Sequence, residues 1–285
     1  MEFYENNFPI ISSHRSMVPN YDTNTKAICL ISHYPNNVWI DFLKNFELYD
    51  IYIIVDDNSI NYQEKYSHNS YKNIFFIQIY NNEHINNGYC DRDFPNEKLS
   101  GWHKALYFFS KLNNTYEHVW FFEDDVFFYS EKTINDIDKI YPYSDLLSSP
   151  LSINSNGSKD FWHWYKININ LEPPYYNGMV CAVRMSNKLL THISNYVDNN
   201  KSLFYIEALF PTLAKYNILK CDIPIEMEYI YFRHNFRMTD MTCNYIYHPL
   251  KNISLHDPLR TILSAKQHEK LKKSQKNYII TPLHI

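Results

Sequence analysis

Apolar and polar residues run along this chain in alternating blocks whose spacing switches between strand-like and helix-like. The run AICLISHY at 27–34 is apolar until it ends in polar residues, and PNNVWIDFLKNF at 35–46 follows with apolar positions at helical spacing, which predicts a strand and then a helix. YDIYIIVDDNS at 49–59 is β-branched and aromatic until it stops at Asp56, Asp57, Asn58 and Ser59, residues suited to a turn, and so predicts a second strand. NIFFIQIY at 73–80 predicts a third strand, GWHKALYFFSKL at 101–112 a helix, and EHVWFFEDD a fourth strand. Strands alternating with helices imply right-handed crossovers and a largely parallel sheet, hence an α/β fold.

Composition narrows the class. At 285 residues with 45% apolar content the chain can bury a substantial core, and no linker divides it, which predicts a single domain. A formal charge of −4 supplies no global basic field for a nucleic-acid backbone. The five cysteines are scattered and form no C-x-x-C pair, as expected of reduced thiols. With no basic-then-apolar leader and no window near the roughly 18 apolar residues of a spanning helix, the expectation is a cytoplasmic chain, or one from a pathogen or large virus that modifies its own products outside the secretory route. The abundance of Asn, Ile, Lys and Tyr reads equally as codon bias, so isolated Asn or Tyr residues carry little weight.

The chemistry concentrates where strands end. FFEDDVFF at 121–128 sets Glu123, Asp124 and Asp125 into an otherwise bulky apolar run. An ionised carboxylate is costly to bury unless it is paired or bound to a cation, so three in succession at a strand end predict a mouth where a metal and a ligand enter. In open parallel sheets ligands bind beyond the carboxyl ends of the strands. Ser32 and His33 close the first strand there, Asp56 and Asp57 the second, and the acidic triplet the fourth, so one crevice can receive them all. An Asx turn explains the DDNS segment equally well. No G-x-G-x-x-G or G-x-x-x-x-G-K-[ST] follows any strand, and with 4 glycines in the chain any phosphate must be met by metal or side chains.

IIVDDNS at 53–59, the helix opening GWHKAL, and VWFFEDDVFF at 119–128 together resemble the nucleotide-sugar half of GT-A fold glycosyltransferases, inverting families and the N-acetylglucosaminyltransferase I group with its EDD variant of the DxD motif included. The resemblance spans residues 27–130 and implies a GT-A-like domain over 27–258. Its nucleotide-sugar half would be 27–130 and its acceptor half 131–258, between a polar extension at 1–26 and a C-terminal helix and tail at 259–285. It also implies a nucleotide-sugar donor, a UDP-sugar first among them, and Mn²⁺ or Mg²⁺ as cofactor. Asp125 is the direct metal ligand under this reading, Asp124 meets the ribose, a metal-bound water or the sugar, and Glu123 accepts a hydrogen bond behind them. Asp56 or Asp57 meets base or ribose, with Ser32, His33 and Lys104 lining the same donor pocket.

Transfer with inversion also needs a base for the acceptor hydroxyl. Glu207 in SLFYIEALFPTLAKYN opens a predicted helix, and the segment is similar to the D-E-x-x-x-x-T-L region of inverting transferases with Ile206 in place of the first acid; Asp160 and Glu172 are alternatives. Trp162 and Trp164 are candidates to cover an acceptor sugar of a glycan or glycoprotein, core packing being the commoner fate of such rings. Asn177–Gly178 is a turn before an apolar strand that lets backbone approach the donor sugar. In 231–252, His248 resembles a late histidine that completes a metal site in several GT-A families, with Arg233 and Lys251 available to the leaving phosphate. LRTILSAKQHEKLKKSQKN at 259–277 predicts a cationic amphipathic helix. Two other classes use the same features: a glycan- or nucleotide-binding module without turnover, and a metal-dependent hydrolase.

Overall fold

The computed structural model describes residues 24–66, 73–91, 100–111 and 116–278, so nearly all of the expected N-terminal extension and the last residues of the tail lie outside the described residues. In order the first half comprises β1 (Lys26–Ser32), α1 (Asn37–Leu43), β2 (Asp50–Val55), α2 (Tyr62–Lys65), β3 (Ile74–Gln78), α3 (Glu83–Asn86), α4 (Ser100–Lys111) and β4 (His118–Glu123). There follow α5 (Glu131–Ile140), β5 (Leu146–Leu147), β6 (Ser152–Asn154), β7 (Tyr175–Asn177), β8 (Ala182–Ser186), α6 (Asn187–Asn200), α7 (Ile206–Tyr216), β9 (Cys221–Asp222), β10 (Tyr229–Ile230), β11 (Tyr247–His248) and α8 (His256–Tyr278). The predicted strands and helices of the first half are all present, trimmed at their ends.

Seven strands form the central sheet in the order β3-β2-β1-β4-β8-β5-β9. β3, β2, β1 and β4 run parallel, and β8 is inserted antiparallel between β4 and β5. This mostly parallel sheet with helices on both faces is the GT-A-like layout expected. β1 shows why the arrangement is stable: Ala27, Cys29 and Ile31 join the core beneath α4, α6 and α7, while Ile28 and Leu30 join the core beneath α1 and α5. With both faces covered, the strand reads as continuously apolar rather than alternating. Gly101 allows α4 to close on the sheet, since a Cβ there would stand 2.7 Å from Cγ2 of Ile31. Local capping fixes the helices that flank the site. Asn36 accepts the Trp39 N–H at the start of α1, and Ser186 accepts the Leu189 N–H at the start of α6.

Two short two-stranded sheets complete the second half, β6 with β7 and β10 with β11. α8 begins at His256, ahead of the boundary expected at 259. His256 is buried beneath it and Leu259 and Leu263 pack with Phe127, Met241 and Tyr247, so its first turns belong to the domain core. Arg260 spreads over Phe42, its guanidinium 3.4 Å from the ring centre, which covers apolar surface with an amphipathic side chain. No helix among the described residues is long and apolar enough to cross a membrane.

At the edge of the sheet away from the strand-end acids, one buried carboxylate gathers several elements. Asp138 of α5 receives Arg184 Nη1 of β8 at 2.7 Å, Lys26 Nζ of β1 at 3.1 Å, the Tyr49 hydroxyl at 2.7 Å and the Trp120 indole N–H of β4 at 3.0 Å. Burial alone would raise the Asp138 pKa, but the Arg184 charge and the bonds from Tyr49 and Arg184 outweigh it and hold the carboxyl below its ordinary value. Because the folded value is depressed, the stabilisation is present above the unfolded value and disappears as pH falls through the folded one. Asp138→Asn leaves Arg184 buried without its counter-charge and is expected to cost about 3–5 kcal/mol at neutral pH. Urea unfolding as a function of pH checks this: the gap between the two proteins should close in acid, below the usual aspartate range.

Candidate functional site

The carboxyl ends of β1, β2 and β4 open on one mouth. Parallel pairing aligns Ile31 with Glu123, and just beyond it the Ser32 hydroxyl donates to Asp124 Oδ2 at 2.6 Å. The Trp39 indole N–H caps the Asp124 carbonyl at 2.8 Å. Burial raises the Asp124 pKa, with the charge of Asp125 adding to it against the Ser32 hydrogen bond.

β1 and β2 continue to pair past their ends, Asp56 N–H to Ser32 O at 3.0 Å and Asp57 N–H to His33 O at 3.2 Å. Asp56 and His33 therefore face each other, His33 Nδ1 standing 3.5 Å from Oδ2. Lys104 is buried below them, its ammonium 2.9 Å from Asp56 Oδ1 and 2.7 Å from the Asp56 carbonyl. The sequence put Lys104 in the donor pocket; its cation is already engaged, so it positions Asp56. Asp57 forms the Asx turn, accepting Ser59 N–H at 3.0 Å and the Tyr62 hydroxyl at 2.8 Å. Of the two aspartates, Asp56 is the one turned toward the mouth's other polar groups. Behind it lie two buried histidines that sequence reading passed over, His84 and His103. Burial pushes both down to about 4, so both are neutral at physiological pH, and neither Nδ1 of His84 nor Nε2 of His103 has a hydrogen-bond partner.

The acidic triplet meets the late part of the chain through backbone pairing. Phe127 and Tyr247 exchange both N–H···O bonds, at 2.8 and 2.9 Å, and Leu250 N–H reaches the Asp125 carbonyl at 2.7 Å. This brings His248 of β11 against the triplet: Nε2 is 3.2 Å from Asp125 Oδ1 and 4.0 Å from Glu123 Oε2. The Tyr231 carbonyl lies 2.7 Å from Nδ1, and because a carbonyl only accepts, Nδ1 carries a proton and Nε2 faces the carboxylates. Burial would lower the His248 pKa, but its contact with Asp125 and the charges of Asp125 and Glu123 raise it. Asp125 Oδ1 is buried without a well-directed hydrogen bond.

Glu123, expected behind the ligands, is turned into this group. One oxygen accepts the Trp102 indole N–H at 2.7 Å, and burial followed by the charge of Asp125 raises its pKa despite that bond. The Glu123 N–H is given to the Cys181 carbonyl at 2.9 Å, which places the Cys181 thiol beside the Glu123 carboxylate. One ligand atom from each of Glu123, Cys181 and His248 lies within 4.8 Å of the others. Burial pushes the Cys181 thiol well up, and the negative charges of Glu123, Asp125 and Glu207 push the same way. A buried oxygen without a well-directed hydrogen bond and an imidazole nitrogen aimed at two carboxylates make a donor set that fits a divalent cation.

Glu207 opens α7 beside this group. Pro211 lacks the N–H that would bond back to the Glu207 carbonyl inside the helix, and Gly178 N–H takes that carbonyl instead at 3.0 Å. Gly178 also permits close packing, since a Cβ there would stand 2.7 Å from Leu151 Cδ2. Thr212 fastens β7 to α7 through both the N–H and the carbonyl of Tyr176.

Other expected residues are farther from this group or otherwise employed. Trp164 is 1% exposed and packs against Trp162 and Tyr175, so it supports the core and offers no face to a sugar. Trp162, partly exposed at a φ of 51°, lies tilted against Tyr205 with ring centres 5.8 Å apart. Asp160 and Glu172 are exposed, with Asp160 taking the Ser158 hydroxyl. Arg233 and Lys251 are exposed on the segments that flank His248, Arg233 lying over Phe232.

The sequence matches no protein-family profile and no curated protein. A solved structure to which it is similar is 4-diphosphocytidyl-2C-methyl-D-erythritol synthase from Anaerococcus prevotii DSM 20548, at 11% identity and a TM-score of 0.40 over 70% of this chain and 87% of that one. A likeness of that degree carries no argument about this chain's chemistry.

Lys104→Met provides a check on the mouth itself. Removing the cation leaves the half-buried Asp56 carboxylate short of partners and is expected to cost about 1–3 kcal/mol in urea unfolding.

Proposed function

We propose that this chain is a metal-dependent glycosyltransferase that moves a sugar from a nucleotide donor, with a UDP-sugar the first to test, to a hydroxyl of a glycan or a protein-linked acceptor, with inversion. The observation that carries the reading is the meeting of His248 with Asp125 and Glu123, three potential ligands brought from the middle and the late part of the chain to the carboxyl edge of a parallel sheet. A divalent cation such as Mn²⁺ bound there supplies Lewis-acid stabilisation of the departing diphosphate.

The chain's own groups account for the other tasks. Asp56, held by Lys104, accepts a hydrogen bond from the base or ribose. Asp124 and Ser32, already bonded to each other, border the same donor. Arg233 and Lys251, exposed beside His248, neutralise charge on the leaving group. Glu207 takes the proton from the acceptor hydroxyl as the anomeric carbon is attacked from the side opposite the diphosphate. Its carbonyl bond to Gly178 ties the base to the backbone that approaches the sugar. Trp162 offers an edge to the acceptor.

A thermal-shift panel of nucleotides and nucleotide sugars, with Mn²⁺ and with chelator, tests the donor half of this reading. A metal-dependent rise in Tm with one nucleotide family supports it, because a ligand that binds only the folded state stabilises that state; no rise with any nucleotide overturns it. Asp125→Ala should lose the metal-dependent shift while keeping its circular dichroism. Glu207→Gln should keep the shift and lose transfer by about 10²–10⁴-fold, the usual contribution of a positioned base. Sugar release that needs no saccharide acceptor would instead mark a hydrolase, and donor binding without turnover a binding module.

A further inference from the structure

We propose that Cys181 is a metal ligand and that Glu123, Cys181 and His248 make this centre prefer a thiophilic divalent cation, Zn²⁺ above Mg²⁺. The inference rests on reading this mouth as a metal centre and concerns which cation it takes and through which atoms.

Three observations support it. First, the carboxylate, the thiol and the imidazole already converge, their ligand atoms lying within 4.8 Å of one another. Tetrahedral donors around zinc stand about 3.5 Å apart, so closure by about 1 Å through side-chain rotation suffices. Second, His248 and Glu123 are each held by a neighbour outside the ligand set, and Cys181 is tied to Glu123. His248 Nδ1–H is anchored on the Tyr231 carbonyl at 2.7 Å, which leaves Nε2 as the ligating atom. Trp102 fixes one oxygen of Glu123 at 2.7 Å, and the backbone bond from Glu123 N–H to the Cys181 carbonyl at 2.9 Å keeps the thiol and the carboxylate together. Such supporting bonds orient ligands in metal sites. Third, Asp125 Oδ1, buried and without a well-directed hydrogen bond, stands 3.2 Å from His248 Nε2 and can contribute a further oxygen.

The mixed set of nitrogen, sulfur and oxygen decides the class of metal. Mg²⁺ requires near-octahedral oxygen ligands and gives up its water reluctantly, whereas Zn²⁺ accepts imidazole, thiolate and carboxylate together in four-coordinate geometry. On ligation the S–H bond breaks, the proton passes to solvent, and a sulfur lone pair forms the bond to the metal. In the alternative account Cys181 is a packed thiol that donates a hydrogen bond to Glu123 and nothing more.

Affinity order alone does not separate these accounts, because nearly any site prefers Zn²⁺ to Mn²⁺. Spectroscopy does. The metal-stripped full chain, titrated anaerobically with Co²⁺, should develop a thiolate-to-cobalt charge-transfer band together with the intense visible bands of four-coordinate cobalt. Cys181→Ser should lose the charge-transfer band and weaken Zn²⁺ by more than the about 10–100-fold that follows loss of a supporting partner. Cys181→Ala, with circular dichroism and Tm recorded for both variants, separates lost ligation from lost folding, and His248→Ala should remove the visible bands. Cobalt bound without a charge-transfer band, with Zn²⁺ affinity unchanged in Cys181→Ser, overturns the inference and leaves an oxygen and nitrogen centre compatible with the donor reading. Absence of any metal binding overturns it as well; the nucleotide panel then shows whether the donor reading falls with it.

Discussion

The carboxyl edge of the sheet answers to one electrostatic constraint: three consecutive carboxylates end a strand that is buried on both faces. Each is met differently. Asp124 leans on the Ser32 hydroxyl, its carbonyl held by Trp39. Asp125 faces the His248 ring, and Glu123 is shared between the Trp102 indole and the Cys181 thiol. Those partners come from β1, α1, α4, β11 and the approach to β8, so satisfying the triplet recruits almost the whole domain. Burial still raises the pKa of Glu123 and Asp124, which means the protein groups alone compensate the charge incompletely.

The opposite edge solves the same problem with protein charges alone. There Asp138 is matched by Arg184 and Lys26 and by neutral donors from Tyr49 and Trp120. One edge is a closed ion-pair network that joins α5 to β1, β4 and β8, and the other is an acidic cluster left short of positive charge. The sheet between them is apolar on both faces, and strand register brings the ends of β1, β2 and β4 to one mouth, where turns and loops beyond the strands carry Asp56, Asp124 and Asp125.

The sequence disclosed those parts of the design that are local. Runs such as AICLIS and VWFFE announce strands because a strand covered on both faces must be apolar throughout, and the acids and turn residues that stop them mark the carboxyl edge of the sheet. β5, β9, β10 and β11 are two residues each, too short for any period to register, and they exist because tertiary packing supplies partners. Cys181 looked like one of several scattered thiols, since its relation to Glu123 is made by antiparallel pairing of β8 with β4. Lys104 was placed beside a donor pocket from the sequence, and its ion pair with Asp56 is invisible until α4 folds over β2. Trp164 looked like a platform for a sugar, and packing against Trp162 and Tyr175 turned it inward. His248 was found through a family resemblance, with no periodic signal to announce it.

The reciprocal bonds between Phe127 and Tyr247 have a consequence for the order of events during synthesis. The acids and the strand they end come from the first half of the chain, and the histidine that faces them is translated only after β5 to β10 have been added. A chain cut before Tyr247 would keep the carboxylates yet lack the imidazole, so Asp125 and Glu123 meet their histidine only once synthesis has passed β11.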